Sequence, residues 1–466
     1  MMGDPSRHHE FSDEASAASG WSSTTVALTR RALVTGAGIA VAATALDGVA
    51  FAGGAAAGNG GFQFDTVVAR ARALGAAPFD AAVPPLPEAV AHLDYDAYRD
   101  IRFRKDQAFL AEVGPFRMEL MHRGGLFQRP VQINIVRDGV AARIPYKQSL
   151  FDFGRTKVEA DLPEDLGFAG LRFMFPLNTP SVEDEVISFL GASYFRFLGR
   201  GQRYGLSARA LAIDIGLTTP EEFPFFREFW VEQPGKDAKE VVLYALLDTP
   251  ALAGAYQFTV RPDAQTVVSV ASRLFFRKAV QRLGIAPLTS MYYLGASDPR
   301  PAEEFRPQVH DSDGVLIHSS GDAWAWHALH NPTLVTVSPL AVAPVQGFGL
   351  LQRDRLFFDY QDLEADYQKR PSYWVEPLGD WGRGTVNLLE IPTKSEALDN
   401  IGLFWTPDAS VPAGGTMDIA YSIKADDNGS RLHGLGRVFK TFQTVPNVDG
   451  NKTAPTGETC RYLIDF

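Results

Sequence analysis

The chain carries a single cysteine, Cys460, in 466 residues. That excludes an intrachain disulfide and any zinc or iron–sulfur centre built on cysteines. Such scarcity suits an oxidising compartment, where nothing is left to mispair. There is no long basic run either, and the net charge is −11. Nucleic acid and anionic membrane surfaces are therefore poor partners, and a neutral ligand suits the acidic balance better. Helical periodicity is scarce, and internal repeats are absent. What the chain does have is aromatic residues, 32 Phe, 14 Tyr and 7 Trp. These suffice for a large core with rings to spare for a cleft.

The N-terminus speaks for export. Adjacent Arg30 and Arg31 precede a moderately apolar Gly/Ala-rich run that ends at Ala50-Phe51-Ala52. This pattern reads as a twin-arginine signal over 1–52 with cleavage after Ala52, which implies the periplasm. Asp47 and the many small residues make the run weakly hydrophobic for a membrane anchor. No other segment reaches spanning length, so no membrane span is expected after cleavage. Residues 53–61, "GGAAAGNGG" from 53 with Phe62 following, form a flexible leader.

Beyond the leader, "FDTVVARARALGAAPF" puts Val67, Val68, Ala71 and Leu74 on one helical face. "LDYDAYRDIRF" reads as a short helix running into a strand. From about residue 110, β-branched or alternating runs such as "VQINIVRDG", "EVVLYALLD", "TLVTVSPLAVA" and "TVNLLEIPT" are punctuated by Gly, Pro and Asp. Regular short strands of this kind predict an all-β sandwich. "LEADYQKRPSYW" has room for one helical turn before Pro371. A Pro/Gly-rich stretch after 405 predicts a domain boundary, with a main domain over 62–405 and a smaller, incomplete β domain over 410–466.

The chemistry-bearing stretch is "HDSDG", residues 310–314. As an EF-hand it fails, because Gly314 falls at position 4 from Asp311 rather than position 6. His310, Asp311, His318, His327 and His330 have no zinc-ligand spacing, so no metal and no other cofactor is expected. "GRGQRYG" lacks a phosphate-loop lysine, and "YGLSARA" lacks a nucleophile elbow. Spacing alone favours an Asx-type turn for Asp311 and Asp313. A β-rich exported chain with many aromatics and carboxylates suggests carbohydrate chemistry, where cleavage needs one carboxylic acid and one carboxylate. Composition does not choose the pair.

Longer strings do. "SFLGASYFR" (188–196), "YGLSARALAID" (204–214), "EEFPFF" (221–226), "GIAPLTSMY" (284–292), "HDSDG", "GFGLLQRDR" (347–355), "YQDLEADYQKRPSYWVEPLGDWGRG" (360–384) and "EIPTKSEALDN" (390–400) occur in one order. Over about 62–405 they closely resemble the periplasmic glucan biosynthesis protein G/D family, glycoside hydrolase family 186. The arginine pair points to the D branch. The resemblance implies a galactose-mutarotase-like β-sandwich followed by an immunoglobulin-like β-sandwich domain, apparently truncated here. It also implies action on β-1,2-glucan, by inverting endo-cleavage or by transglycosylation. A non-catalytic glucan-binding partner is the alternative, and a homodimer is left open.

The resemblance further assigns the general acid to Asp399, in "LDN", and the general base to Asp311. The acid should occupy a partly desolvated pocket, with Glu396 nearby to favour protonation. The base should be held ionised by His310 or an arginine. In this family the water's proton is thought to reach the base through hydroxyls, so the two carboxylates need not keep the usual inverting separation of roughly 6.5–9.5 Å. Tyr367, Arg370, Tyr373, Trp374 and Trp381 lie in the densest matching block and read as cleft wall, with Tyr367 and Arg370 foremost as sugar contacts. Tyr194 and Arg196 are further candidates for substrate binding, and Glu396 is another.

Overall fold

A computed structural model describes residues 61–444 and 461–466, apart from positions 159, 342, 343, 428, 431 and 435. The export signal, nearly all of the leader and Cys460 lie outside the described residues. The fold is an all-β sandwich. One sheet has ten strands and the other eleven among the described residues.

Alternation along the strands builds the space between the sheets. Phe189 and Phe195 of the ten-stranded sheet meet Phe258 of the other, with ring centroids 5.1 and 5.4 Å apart. Neighbours in the sequence turn outward. Phe229 faces this shared core, while Trp230 faces away. The outward face is covered by the Phe64–Ala76 helix, whose Val67, Val68 and Ala71 pack on Trp230, Tyr244, Leu246, Ala255 and Phe275. Burying each of these valines stabilises by roughly 1.5–3 kcal/mol. The expected short helix is Tyr95–Asp100, N-capped by Asp94, and it leads into the Arg102–Phe103 strand. The expected turn before Pro371 is a 3₁₀ turn, Tyr367–Lys369.

Strand pairing continues across the boundary expected near 405–410. Thr416–Asp426 lies inside the eleven-stranded sheet, paired with Val267–Phe276 on one side and Ser372–Pro377 on the other. Its alternate residues Ile419, Tyr421, Ile423 and Ala425 enter the main core. The Pro/Gly-rich stretch carries the chain from Ile401–Pro407 in one sheet to the other sheet. Gly414, at φ +76°, makes that turn and donates its N–H to Phe276 O. Farther on, Lys440–Thr444 pairs with Arg461–Asp465 as a two-stranded unit.

Irregular segments gather around a short ribbon. Tyr292–Leu294 pairs with Val309–His310 as a ribbon outside both large sheets. The turns over 357–370 and the loop over 391–400 connect to it through the hydrogen bonds described next.

Candidate active site

Asp311 leaves the ribbon with its backbone N–H bonded to Met291 O at 2.8 Å. Its side chain is 1% exposed and pairs with Arg370, Oδ1 to Nη1 at 2.9 Å. Arg370 is also buried and donates to Ala365 O, at 2.8 Å from Nη2. The turn that delivers it is built locally. Asp362 Oδ1 accepts from the N–H groups of Glu364 and Ala365. Asp366 then adopts the left-handed conformation at φ +48°, tolerable for Asp, and pairs with Arg203 at 2.8 Å. Gly205 is required opposite, since a Cβ there would lie 2.5 Å from Arg370 Cδ.

The same turn presents Tyr367. Its ring is fully buried under the Arg370 guanidinium, 4.9 Å away, and its hydroxyl donates to Glu396 Oε2. Glu396 also accepts from Arg306 Nη1 at 2.8 Å, and its side chain keeps 38% of its exposure. Arg306 is a hub, pairing with Glu304, Asp362 and Glu396 together. Its hydrogen bonds to Glu304 and Asp362, with the charge of Glu396, hold its pKa above the ordinary arginine value, against the effect of burial. The hydrogen bond from Arg306 holds Glu304 below the ordinary carboxylate value.

Asp399 occupies the same 391–400 loop as Glu396. Its carboxylate is 18% exposed and lies 3.4 Å from Arg196 Nη2. Tyr194 and Arg196 project from the same face of the Tyr194–Phe197 strand, and Asp399 acts electrostatically on the Tyr194 phenol. Burial pushes that phenol's pKa up. The Arg209 guanidinium, 5.1 Å over the ring, opposes this, while Glu221 and Asp399 add to it.

The structure thus joins Asp311 to Arg370 and Tyr367 to Glu396, with Tyr367 under Arg370, and sets Asp399 against Arg196 and Tyr194. Tyr367 and Arg370, expected as sugar contacts, are buried, and each contacts a carboxylate. Tyr373 and the tryptophans belong to the packing. Tyr373 stacks on Phe197 at 4.4 Å and hydrogen-bonds both its N–H and its carbonyl. Trp374, 2% exposed, packs with Leu316, Leu351 and Trp324. Trp381 packs on Trp405 and Tyr421 and donates to Ala420 O.

An arginine, not His310, faces Asp311. The His310 ring nitrogens lie 2.7 Å from Gln352 Oε1 and 2.9 Å from Gln308 Oε1, and burial pushes its pKa down. Asp313 does not form a local Asx turn. Its carboxylate reaches across to Arg353, accepting from the backbone N–H at 3.0 Å and Nε at 2.6 Å. Arg306, Gln308, Gln352 and Asn400 went unnoticed in the sequence. Asn400 had a signal in its place beside Asp399 in "LDN", and Gln352 in its place in "GFGLLQRDR". Among the described residues no group of three or more His, Cys, Asp or Glu is placed to hold a metal ion, and no helix is long and apolar enough to cross a membrane.

The family description "Periplasmic glucan biosynthesis protein, MdoG" matches residues 62–466. The chain belongs to this family. It is a periplasmic protein of glucan biosynthesis. It is 43% identical over 426 residues to "Glucans biosynthesis protein G" of Pseudomonas entomophila, covering 90% of this chain and 74% of that one. It is 44% identical over 409 residues to the protein of the same name from Pectobacterium carotovorum, covering 87% and 78%. Among solved structures, a GH36 alpha-galactosidase from Geobacillus stearothermophilus aligns at TM-score 0.29 and 9% identity, over 56% of this chain and 39% of that one. That likeness is too slight to carry any argument.

Proposed function

We propose that this family member acts on β-1,2-linked glucan by inverting acid–base chemistry, with Asp399 as general acid and Asp311 as general base. The observation that carries this reading is the contrast in access. Asp399 is half-buried on a loop, shielded on one side and reachable on the other, as a proton donor to a glycosidic oxygen has to be. Asp311 is 1% exposed, with Arg370 on its carboxylate. A buried base of this kind acts only if protons reach it through intermediate groups.

The chemistry then runs as one displacement. Asp399 gives its proton to the glycosidic oxygen as the C1–O bond breaks. A water, or a sugar hydroxyl in the transfer reaction, attacks C1 from the opposite face and loses its proton toward Asp311. The proton is passed on through the Tyr367 hydroxyl, which can both donate and accept and is bonded to Glu396, and not through the Arg370 guanidinium, which has no acceptor atom. Arg370 keeps Asp311 anionic and ready to take the proton. Tyr194 and Arg196, beside Asp399, supply polar contacts to the sugar that it protonates. Export by the Arg30-Arg31 signal is part of the same reading.

The test is incubation of the mature protein with linear β-1,2-glucan, with products read by mass spectrometry. Shortened linear chains support hydrolysis. Products lighter by one water support intramolecular transfer that closes a ring. Unchanged chains that nevertheless bind would overturn the enzymatic reading in favour of a glucan-binding partner.

A further inference from the structure

Asn400 follows the proposed acid and is 2% exposed. Its side chain makes three hydrogen bonds, all to backbone. Oδ1 accepts from Tyr292 N–H at 2.8 Å, and Nδ2 donates to Tyr292 O at 3.0 Å and to Ile391 O at 2.9 Å. The first two make the amide behave as an extra rung of ladder. The Leu283–Ser290 strand pairs with Ile401–Pro407 as far as Ser290 opposite Ile401. One step on, where backbone pairing has ended, the Asn400 amide takes over and grips the Tyr292 peptide. The third bond, together with Ile391 N–H to Asn400 O at 2.9 Å, closes the neck of the loop that carries Glu396 and Asp399.

The other carboxylate hangs from the same short segment. Asp311 N–H bonds to Met291 O at 2.8 Å. Ser312 Oγ lies 2.6 Å from Ser290 Oγ. Tyr292 is paired with His310 in the ribbon and stacks on its ring at 5.5 Å and 11°. Residues 290–292 are therefore a common bracket. One side holds the segment bearing Asp311, and the other holds the segment bearing Asp399 through the Ser290–Ile401 pairing and the Asn400 side chain.

We propose that Asn400 is the positioning residue that fixes the aim of Asp399 relative to Asp311 by clamping the 391–400 loop to Tyr292. This rests on the reading of Asp399 as the acid. Asn400 touches no substrate. It acts by keeping the acid's backbone in register with the bracket that also carries the base. Aspartate cannot replace it, since both Nδ2 contacts are to carbonyl oxygens and an ionised carboxylate would repel them.

The experiment separates aim from general damage by leaving-group ability. Asn400→Ala, Asp399→Asn and wild type are compared on linear β-1,2-glucan and on a β-1,2-glucooligosaccharide with a 2,4-dinitrophenyl leaving group, which departs without a proton. A displacement of about 1 Å costs on the order of a hundredfold in a positioned reaction. On glucan, Asn400→Ala should therefore lose roughly ten- to a hundredfold in kcat, with KM within about twofold. On the activated substrate its loss should shrink to about threefold or less, as it should for Asp399→Asn. If Asn400→Ala does not fold, Asn400→Ser, which keeps one donor, takes its place. Equal losses on both substrates, or none, with Asp399→Asn showing the leaving-group dependence, overturn the proposal alone. An Asp399→Asn variant that cleaves glucan at the wild-type rate overturns the acid assignment and this proposal with it.

Discussion

The pocket around Asp311 and the loop that carries Asp399 are built by different means. Asp311 sits among buried groups whose charges are matched in place: Arg370 on its carboxylate, Arg370 on Ala365 O, and Gln352 bonded to both His310 O and Tyr367 O. Asp399 stands on a loop with exposed neighbours, Leu398 at 42% among them, and its ion pair with Arg196 is longer. On the proposed reading, the first is a proton sink reached through other groups, and the second is a proton donor whose aim depends on the loop's neck. A site that divides its two carboxylates in this way gives them different sensitivities, and mutation can sort them.

The largest effects should come from the carboxylates themselves. Asp399→Asn keeps the shape and cannot donate a proton, and Asp311→Asn cannot accept one. Each should lose at least about a hundredfold in turnover on β-1,2-glucan. Glucan binding by both, measured calorimetrically, should stay near wild type. Near-normal turnover by either variant would dissolve the pairing.

The arginine partners come next and should split by burial. Arg370→Ala removes the arginine from a buried carboxylate, which costs about 3–5 kcal/mol of stability. Arg196→Ala affects a longer pair at a wetter carboxylate, so about 1 kcal/mol is expected. Its main loss should fall on glucan affinity instead. Urea unfolding of the two variants measures the contrast, and equal destabilisation would erase it.

Smaller losses should test the inward route. Tyr367→Phe removes the hydroxyl bonded to Glu396 and preserves the ring under Arg370. About a tenfold or greater fall in kcat, with stability nearly unchanged, is expected if protons pass that way. Asp313→Asn should be milder, because Asp313 serves Arg353 across the chain. The reverse ranking would move the route to the Asp313 side.

Much of this was legible in the sequence because it depends on short-range pattern. Period-two alternation gave the strands, and the Val67, Val68, Ala71 spacing gave the helix that covers Trp230. Other features depend on who meets whom at long range. Arg306 finds Asp362 and Glu396 at separations of 56 and 90 residues, and no local spacing encodes that. Tyr367, Arg370 and Trp374 lie in a stretch dense in aromatic and charged residues, which marks a site but not which side of each residue faces the cleft. The Pro/Gly stretch after 405 was legible as a turn. A turn between sheets and a linker between domains have the same composition, and only the pairing of 416–426 tells them apart.

The smallest expected effect is a pH dependence confined to the Asp311 side. His310 is packed among Asp311, Asp313, Asp354, Gln308, Gln352, Tyr292 and Tyr360, and burial holds its pKa below the ordinary histidine value. Between the two values the unfolded chain binds more protons than the folded one, so acidification below about pH 6.5 removes stability through this group. Asp354, bonded to Gln308 at 2.7 Å, has its pKa raised by burial. Above the ordinary aspartate value and up to its raised one, the folded chain binds the extra proton, so acidification adds stability through this group. The two slopes oppose each other, each at most about 1.4 kcal/mol per pH unit. Asp354→Asn should therefore steepen the fall in urea midpoint between pH 7 and about pH 4, and His310→Gln should flatten it. Asp399→Asn, on the solvent-facing loop, should leave the His310 and Asp354 slopes as they are. If Asp354→Asn flattened the profile instead, the proton would have to sit on His310 in the folded chain, and the pocket around Asp311 would hold one more positive charge than its burial suggests.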